Sequence, residues 1–151
     1  MKEIFITKNK IAIVDDDDYK YIYRWKWYYS NGYARRTFKR DGEKTSIYMH
    51  REIVKPPDGF EIDHINRNKL DNRRCNLRIC TSSQNSMNTR LPKNNTSGYK
   101  GVSYHKRTKT WIAQIVFDGI GRRIGYFKAK EDAVSAYRTK AKELFGEFYN
   151  E

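Results

Sequence analysis

Apolar and polar positions change rhythm three times along the chain. Residues 1–57 read as a β-rich lead-in of short strands with one helical turn. Ile11-Ala12-Ile13-Val14 is an apolar run, and Asp15 to Asp18 open a helical segment over Tyr19–Trp27. Acids in a first turn suit the positive end of the helix dipole, and consecutive carboxylates cannot all converge on one ion, so the run reads as a solvated cap. Tyr33–Phe38 and Thr45–His50 flank Arg40-Asp41-Gly42-Glu43, a β-hairpin about an Asp-Gly turn. On that reading His50 ends a strand ahead of the turn Pro56-Pro57-Asp58-Gly59.

The second stretch, residues 58–91, holds a short strand Phe60–His64, a long loop rich in Asn and Arg, and a second strand Asn76–Cys80. Thr81-Ser82-Ser83-Gln84 supplies an N-cap for a helix expected to run to about Arg90. Residues 92–97 lack periodicity and read as a linker. In the third stretch, residues 98–151, Thr110–Phe117 and Ile120–Phe127 are strands joined at Asp118-Gly119. Ala133, Tyr137, Ala141 and Leu144 then recur at helical spacing, between Glu131-Asp132 and Gly146. The pattern predicts a three-stranded antiparallel sheet with one helix packed across it.

Composition narrows the partners. Lys and Arg number 31 against 18 acids, for a net charge of +13 and a pI near 9.7. Such a chain favours a polyanion, because each neutralised phosphate releases condensed counterions. No apolar run approaches a membrane span and no signal-peptide core follows Met1, so the expectation is a cytoplasmic protein of a prokaryotic or phage-infected cell, not secreted, with no membrane partner. Cys75 and Cys80 are too few for a four-ligand zinc site and read as free thiols.

Candidate chemistry sits in the middle stretch. Phosphodiester hydrolysis needs a base for water, a cation for the developing charge and groups that hold both. Asp63-His64, at the end of a strand, offers a carboxylate and an imidazole that is largely neutral near pH 7. Adjacent strand residues point to opposite faces, so the pair serves one site only where the strand ends or bends. Arg67, Lys69, Arg73, Arg74 and Arg78 meet a single acid in the loop, Asp71, which fits an electrostatic clamp on phosphate.

The string from Ile62 through Asp63-His64-Ile65-Asn66, Asp71-Asn72-Arg73 and Asn76-Leu77-Arg78 to Thr81-Ser82-Ser83-Gln84-Asn85 resembles the HNH endonucleases, in the branch of phage and intron-borne homing enzymes. The resemblance implies two strands, a long loop and a helix around one divalent ion. It implies that His64 is the general base, Asp63 a metal ligand, Asn76 the residue that ties the loop and orients the base, and Asn85 the second protein ligand. Asn88 is the alternative ligand, three residues along the same expected helix face. An asparagine where the wider family often has histidine offers an amide oxygen, which suits Mg²⁺ or Mn²⁺ better than zinc. His50 lies in a segment similar to one preceding the motif in phage nucleases and reads as structural or phosphate-adjacent.

The third stretch resembles the AP2/ERF DNA-binding domain, through Tyr99-Lys100-Gly101-Val102, Trp111-Ile112-Ala113-Gln114-Ile115, Ile124-Gly125-Tyr126-Phe127 and Phe145-Gly146-Glu147-Phe148. Trp111, Ala113, Ile115 and Phe117 share the face that packs the helix, leaving Gln114 opposite, with Tyr104, Lys106, Arg107, Lys109, Arg122 and Arg123 expected to enrich that outer face. A ribbon of this width enters a major groove. Base preference does not transfer, since Ser103 and Val116 depart from that family's pattern.

The expected class is therefore α+β: a β-rich lead-in, a ββα-metal nuclease core, then an AP2-like sheet and helix. The expected function is metal-dependent, site-selective cleavage of double-stranded DNA by a monomer or weak dimer. A DNA-binding regulator with an inactive motif and a non-selective nuclease are the competing readings.

Overall fold

The computed structural model describes residues 1–89 and 91–149. Arg90, the expected end of the helix after Thr81, and Asn150 and Glu151, the last of the third stretch, lie outside the described residues. The chain divides into two units, Met1–Ser82 and Ser83–Glu151.

In the first unit, β1 (Lys2–Ile6) and β2 (Lys10–Val14) form an antiparallel hairpin. Alternation turns Ile4, Ile6, Ala12 and Val14 inward. Helix α1 (Asp16–Ile22) follows, then the antiparallel sheet β3 (Tyr28–Ser30), β4 (Tyr33–Arg40) and β5 (Glu43–Tyr48). The Asp41-Gly42 turn forms as the sequence predicts, with positive φ at both residues. Asn31-Gly32 makes a second such turn and adds β3 to the sheet.

The structure departs from the sequence pattern around His50 and at the acidic run. Helix α2 (Met49–Val54) begins directly after β5, so His50 is helical and does not end a strand. Met49 and Ile53, one turn apart, are both buried, and this i, i+4 pair is what the β reading of Tyr48–Arg51 overlooked. The acidic run is likewise more than a solvated cap. Asp15 makes no side-chain cap bond, and its carboxylate instead accepts the backbone N–H of Arg74 at 2.8 Å. Asp18 accepts both Nε and Nη2 of the same arginine.

The hairpin β6 (Glu61–His64) and β7 (Leu77–Cys80) closes the unit. Ile62 and Leu77 share one core with Ile4, Val14, Ile22, Trp27, Ala34, Met49 and Ile53. The lead-in is thus the packing partner of the middle stretch. Strand β2 also braces the long loop: Ile13 N–H donates to Leu70 O, and Asn72 N–H donates to Ile13 O.

Helix α3 (Ser82–Met87), shorter than expected, begins at the last residue of the first unit and runs into the second. Residues 92–97 are tied rather than featureless: the Asn95 side chain bonds Gly98 N–H and Tyr99 O. Strands β8 (Val102–His105), β9 (Thr110–Phe117) and β10 (Ile120–Phe127) form an antiparallel sheet in the order β10-β9-β8. Helix α4 (Lys130–Phe145) buries Ala133, Val134, Tyr137, Ala141 and Phe145. Gly101, at φ 62°, lets the chain pass under Tyr137: a Cβ there would stand 2.2 Å from that ring and 2.3 Å from Gln114 O. No helix among the described residues is long and apolar enough to cross a membrane.

Candidate active site

The β6–β7 hairpin presents Asp63 and His64 on opposite faces, and both side chains are buried. Asp63 stands opposite Arg78, whose Nε and Nη2 both donate to Oδ2, at 2.8 and 2.7 Å. That arginine fixes the orientation of the carboxylate.

His64 enters an aromatic box built by the lead-in. Its ring centroid is 5.1 Å from that of His50, at 83° between planes, and 5.9 Å from that of Tyr33. Tyr48 stacks on His50 at 5.6 Å and 7°. Lys69 Nζ sits 4.3 Å from the Tyr33 centroid. Burial is the main force on both histidines and keeps them neutral. It pulls His64 below its ordinary value, against the opposing pull of Asn72, Asp63 and Asp71. In His50, burial and the neighbouring charges lower the value to about 3. Nδ1 of His50 and Oδ1 of Asn72 are buried with no hydrogen-bond partner among the described residues.

Asn76 closes the long loop. Its Oδ1 accepts Asn66 N–H, its Nδ2 donates to Asp71 O, and its backbone carbonyl accepts Ile65 N–H. Asp71 is the loop's second tie. Its carboxylate takes Asn66 Nδ2 and both Nε and Nη2 of Arg73, and the Arg73 guanidinium holds it below the usual carboxylate range.

The picture of five loop cations around one acid is corrected by these pairs. Arg73 is bound to Asp71, Arg74 to Asp18 and Arg78 to Asp63. The partners of Arg74 and Arg78 come from outside the loop, which sequence proximity alone does not reveal. Arg67 occupies a left-handed position, φ 62°, directly after the turn that its N–H closes on His64 O.

A sequence profile of the HNH endonuclease family matches residues 55–87. An uncharacterized HNH endonuclease of Acanthamoeba polyphaga mimivirus is 32% identical over 143 residues, covering 93% of this chain and 74% of that protein. The chain belongs to the HNH endonuclease family. It is accordingly a nuclease, of a family that acts on DNA. Protein 3.8 of Escherichia phage T7 is 37% identical over 92 residues, 61% of this chain and 75% of that protein. No solved structure matches the chain.

Within this HNH motif, the donors for an ion are few. No cluster of three or more His, Cys, Asp or Glu able to hold a metal occurs among the described residues. Asp63 is a buried carboxylate of the motif, held by Arg78. Asn85 and Asn88 belong to the second unit. They do not share a helix face as expected, because α3 ends at Met87. Asn88 follows in a turn, its N–H on Asn85 O, and its side chain is buried. Of the cysteines, Cys75 is exposed and Cys80 buried, both free.

On the C-terminal sheet, Gln114 and Arg123 are cross-strand partners and both exposed. Two expected companions lie on the other face. Tyr104 pairs with Trp111 and Arg122 with Ile115, so both point to the side that α4 covers. Lys106, Arg107 and Lys109 are exposed in the turn between β8 and β9.

The residues that sequence reasoning passed over are Tyr33, Tyr48 and Asn72. Their signal was weak, since they lie far from the motif in sequence or read as one more loop polar group.

Proposed function

We propose that this HNH nuclease is a metal-dependent, site-selective endonuclease of the homing type, with His64 as general base. The observation that carries the reading is a buried imidazole at the end of β6, one residue from a buried carboxylate, inside the HNH motif, with burial favouring its neutral form. A neutral imidazole accepts a proton; a charged one does not. His64 takes the proton of a water whose oxygen forms the new bond to phosphorus, while the bond to the leaving sugar oxygen breaks. Asp63 is the proposed metal ligand of the first unit, with Arg78 orienting it through Oδ2. A divalent ion, Mg²⁺ or Mn²⁺, supplies positive charge to the phosphate when bound. The second protein ligand is assigned from sequence alone, to Asn85 by its offset from Asn76, with Asn88 as the alternative. Asn76 keeps the loop, and with it the strand end that carries His64, in one conformation.

Site selection is proposed for the C-terminal sheet, through Gln114 and Arg123 on its outer face and through Lys106, Arg107 and Lys109 at its β8–β9 turn. Support comes from the covered inner face and the exposed, uncovered positions of Gln114 and Arg123. Arg67 and Lys69 are the loop residues proposed to meet phosphate, while Arg73, Arg74 and Arg78 contribute through the acids they already bind. The reading is tested by Mg²⁺-dependent nicking of a plasmid library bearing random inserts. Cleavage concentrated at a few inserts is expected, and it is expected to spread when Gln114 and Arg123 are both replaced by Ala. Uniform cutting by the wild type would favour the non-selective nuclease.

A further inference from the structure

Strand alternation gives the β3–β4–β5 sheet two unlike faces. On one, Arg36 reaches Glu52 at 2.7 Å, and Arg40 pairs across the strands with Glu43. On the other stand Tyr33, Arg35, Thr37 and Lys39 of β4, opposite Tyr48, Ser46 and Lys44 of β5. No acid occurs in this second set.

Its inner end is the catalytic neighbourhood, since Tyr33 touches His50 and His64 and Tyr48 stacks on His50. Its outer end holds Lys39 directly across from Lys44, both exposed. Like charges facing each other across two strands destabilise a sheet. Arg35, between the two ends, donates to Ser46 Oγ. None of these three cations has a carboxylate partner among the described residues. An open depression of about 420 Å³ runs over the same face, bordered by Tyr28, Ser30, Arg35, Thr37, Lys44 and Ser46.

We propose that this face binds the phosphate backbone of the duplex on which the His64 site acts; the proposal rests on the nuclease reading given above. A polyanion removes the repulsion between Lys39 and Lys44, and the hydroxyls of Thr37 and Ser46 are donors of the kind that position a backbone without reading bases. From Tyr33 to Lys39, six residue-to-residue steps along the strand span roughly 20 Å. That is about six base pairs of duplex at 3.4 Å each, so the contact falls about half a helical turn from the cleaved bond.

The test uses the full chain with Lys39→Gln and Lys44→Gln together, binding a plain duplex of about 30 base pairs in EDTA across a salt series. Loss of two phosphate contacts lowers the slope of log K against log salt by about 1.8, with an unchanged or higher thermal midpoint. Lys2→Gln with Lys10→Gln, an equal charge loss on exposed positions of β1 and β2, leaves the slope close to wild type. An unchanged slope in the first variant, an equal fall in the second, or a wild type with no duplex affinity each overturns the proposal. Nicking in Mg²⁺ is scored separately: a wild type that binds with this slope pattern and never nicks refutes the nuclease reading and supports the surface.

Discussion

The imidazoles of His50 and His64 stand edge to face, 83° between planes with centroids 5.1 Å apart, although the two residues belong to different elements, α2 and β6. His50 is in turn stacked on Tyr48, so the base candidate leans on a ring that is itself clamped. His50→Ala removes that support. We expect it to destabilise the first unit by about 2–4 kcal/mol, in the range of buried large-to-small changes. We also expect it to slow single-turnover cleavage by roughly tenfold or more through misplacement of His64. His50→Phe keeps a packed ring and retains most of the rate. Equal rates in all three proteins would remove His50 from the positioning of the base.

Burial of two neutral histidines ties stability to pH. The folded protein holds His50 at about 3, from an ordinary 6.5, and holds His64 lower than its ordinary value. Between about pH 3 and 6.5 the unfolded chain therefore binds more protons than the folded one, and the histidine contribution is fully present only above pH 6.5. Stability is expected to fall as pH drops below 6.5, by up to about 1.4 kcal/mol per pH unit for each histidine left uncharged. Urea unfolding midpoints at pH 7.5 and 5.0 measure this, and His50→Phe flattens the slope. The lowered carboxyl of Asp71 acts in the same direction, but below its unfolded value of about 3.8, so it does not account for losses near pH 6.

In the second unit, Gly101 is the position least open to change. At φ 62°, with a Cβ site 2.2 Å from Tyr137 and 2.3 Å from Gln114 O, even alanine forces backbone apart from backbone. Gly101→Ala is expected to cost about 3 kcal/mol or more, combining strain and overpacking. Hydrogen exchange should then quicken across β8, β9 and β10. Gly119→Ala, also at positive φ but with nothing within 4 Å, is expected to cost less.

Local pattern made much of this legible. Alternation and Asp-Gly turns announced the hairpins β4–β5 and β9–β10, and helical spacing announced α4. Asp63, His64 and Asn76 were picked out through the likeness to the HNH motif, and the structure places Asp63 and His64 on β6 and Asn76 just before its partner strand β7. What escaped was long-range. Arg74 looks like one cation of a basic loop until Asp15 and Asp18, more than fifty residues earlier, are seen to hold it. Tyr104 and Arg122 were assigned to the wrong face because register, which only strand pairing fixes, decides which side a residue takes. Helix α2 was hidden because Tyr48-Met49-His50-Arg51 continues a strand without any breaker before Pro56.

In the function proposed above, His64 activates water at a metal-assisted DNA-cleaving centre. The most direct measurement of this role is the single-turnover nicking rate of supercoiled plasmid in Mg²⁺, for wild type and His64→Ala, with duplex binding measured alongside. EDTA is expected to stop the wild type and Mg²⁺ to restore it, and His64→Ala is expected to bind duplex normally while cutting about 10²–10⁴ times more slowly. A His64→Ala protein that cuts at the wild-type rate would contradict that role.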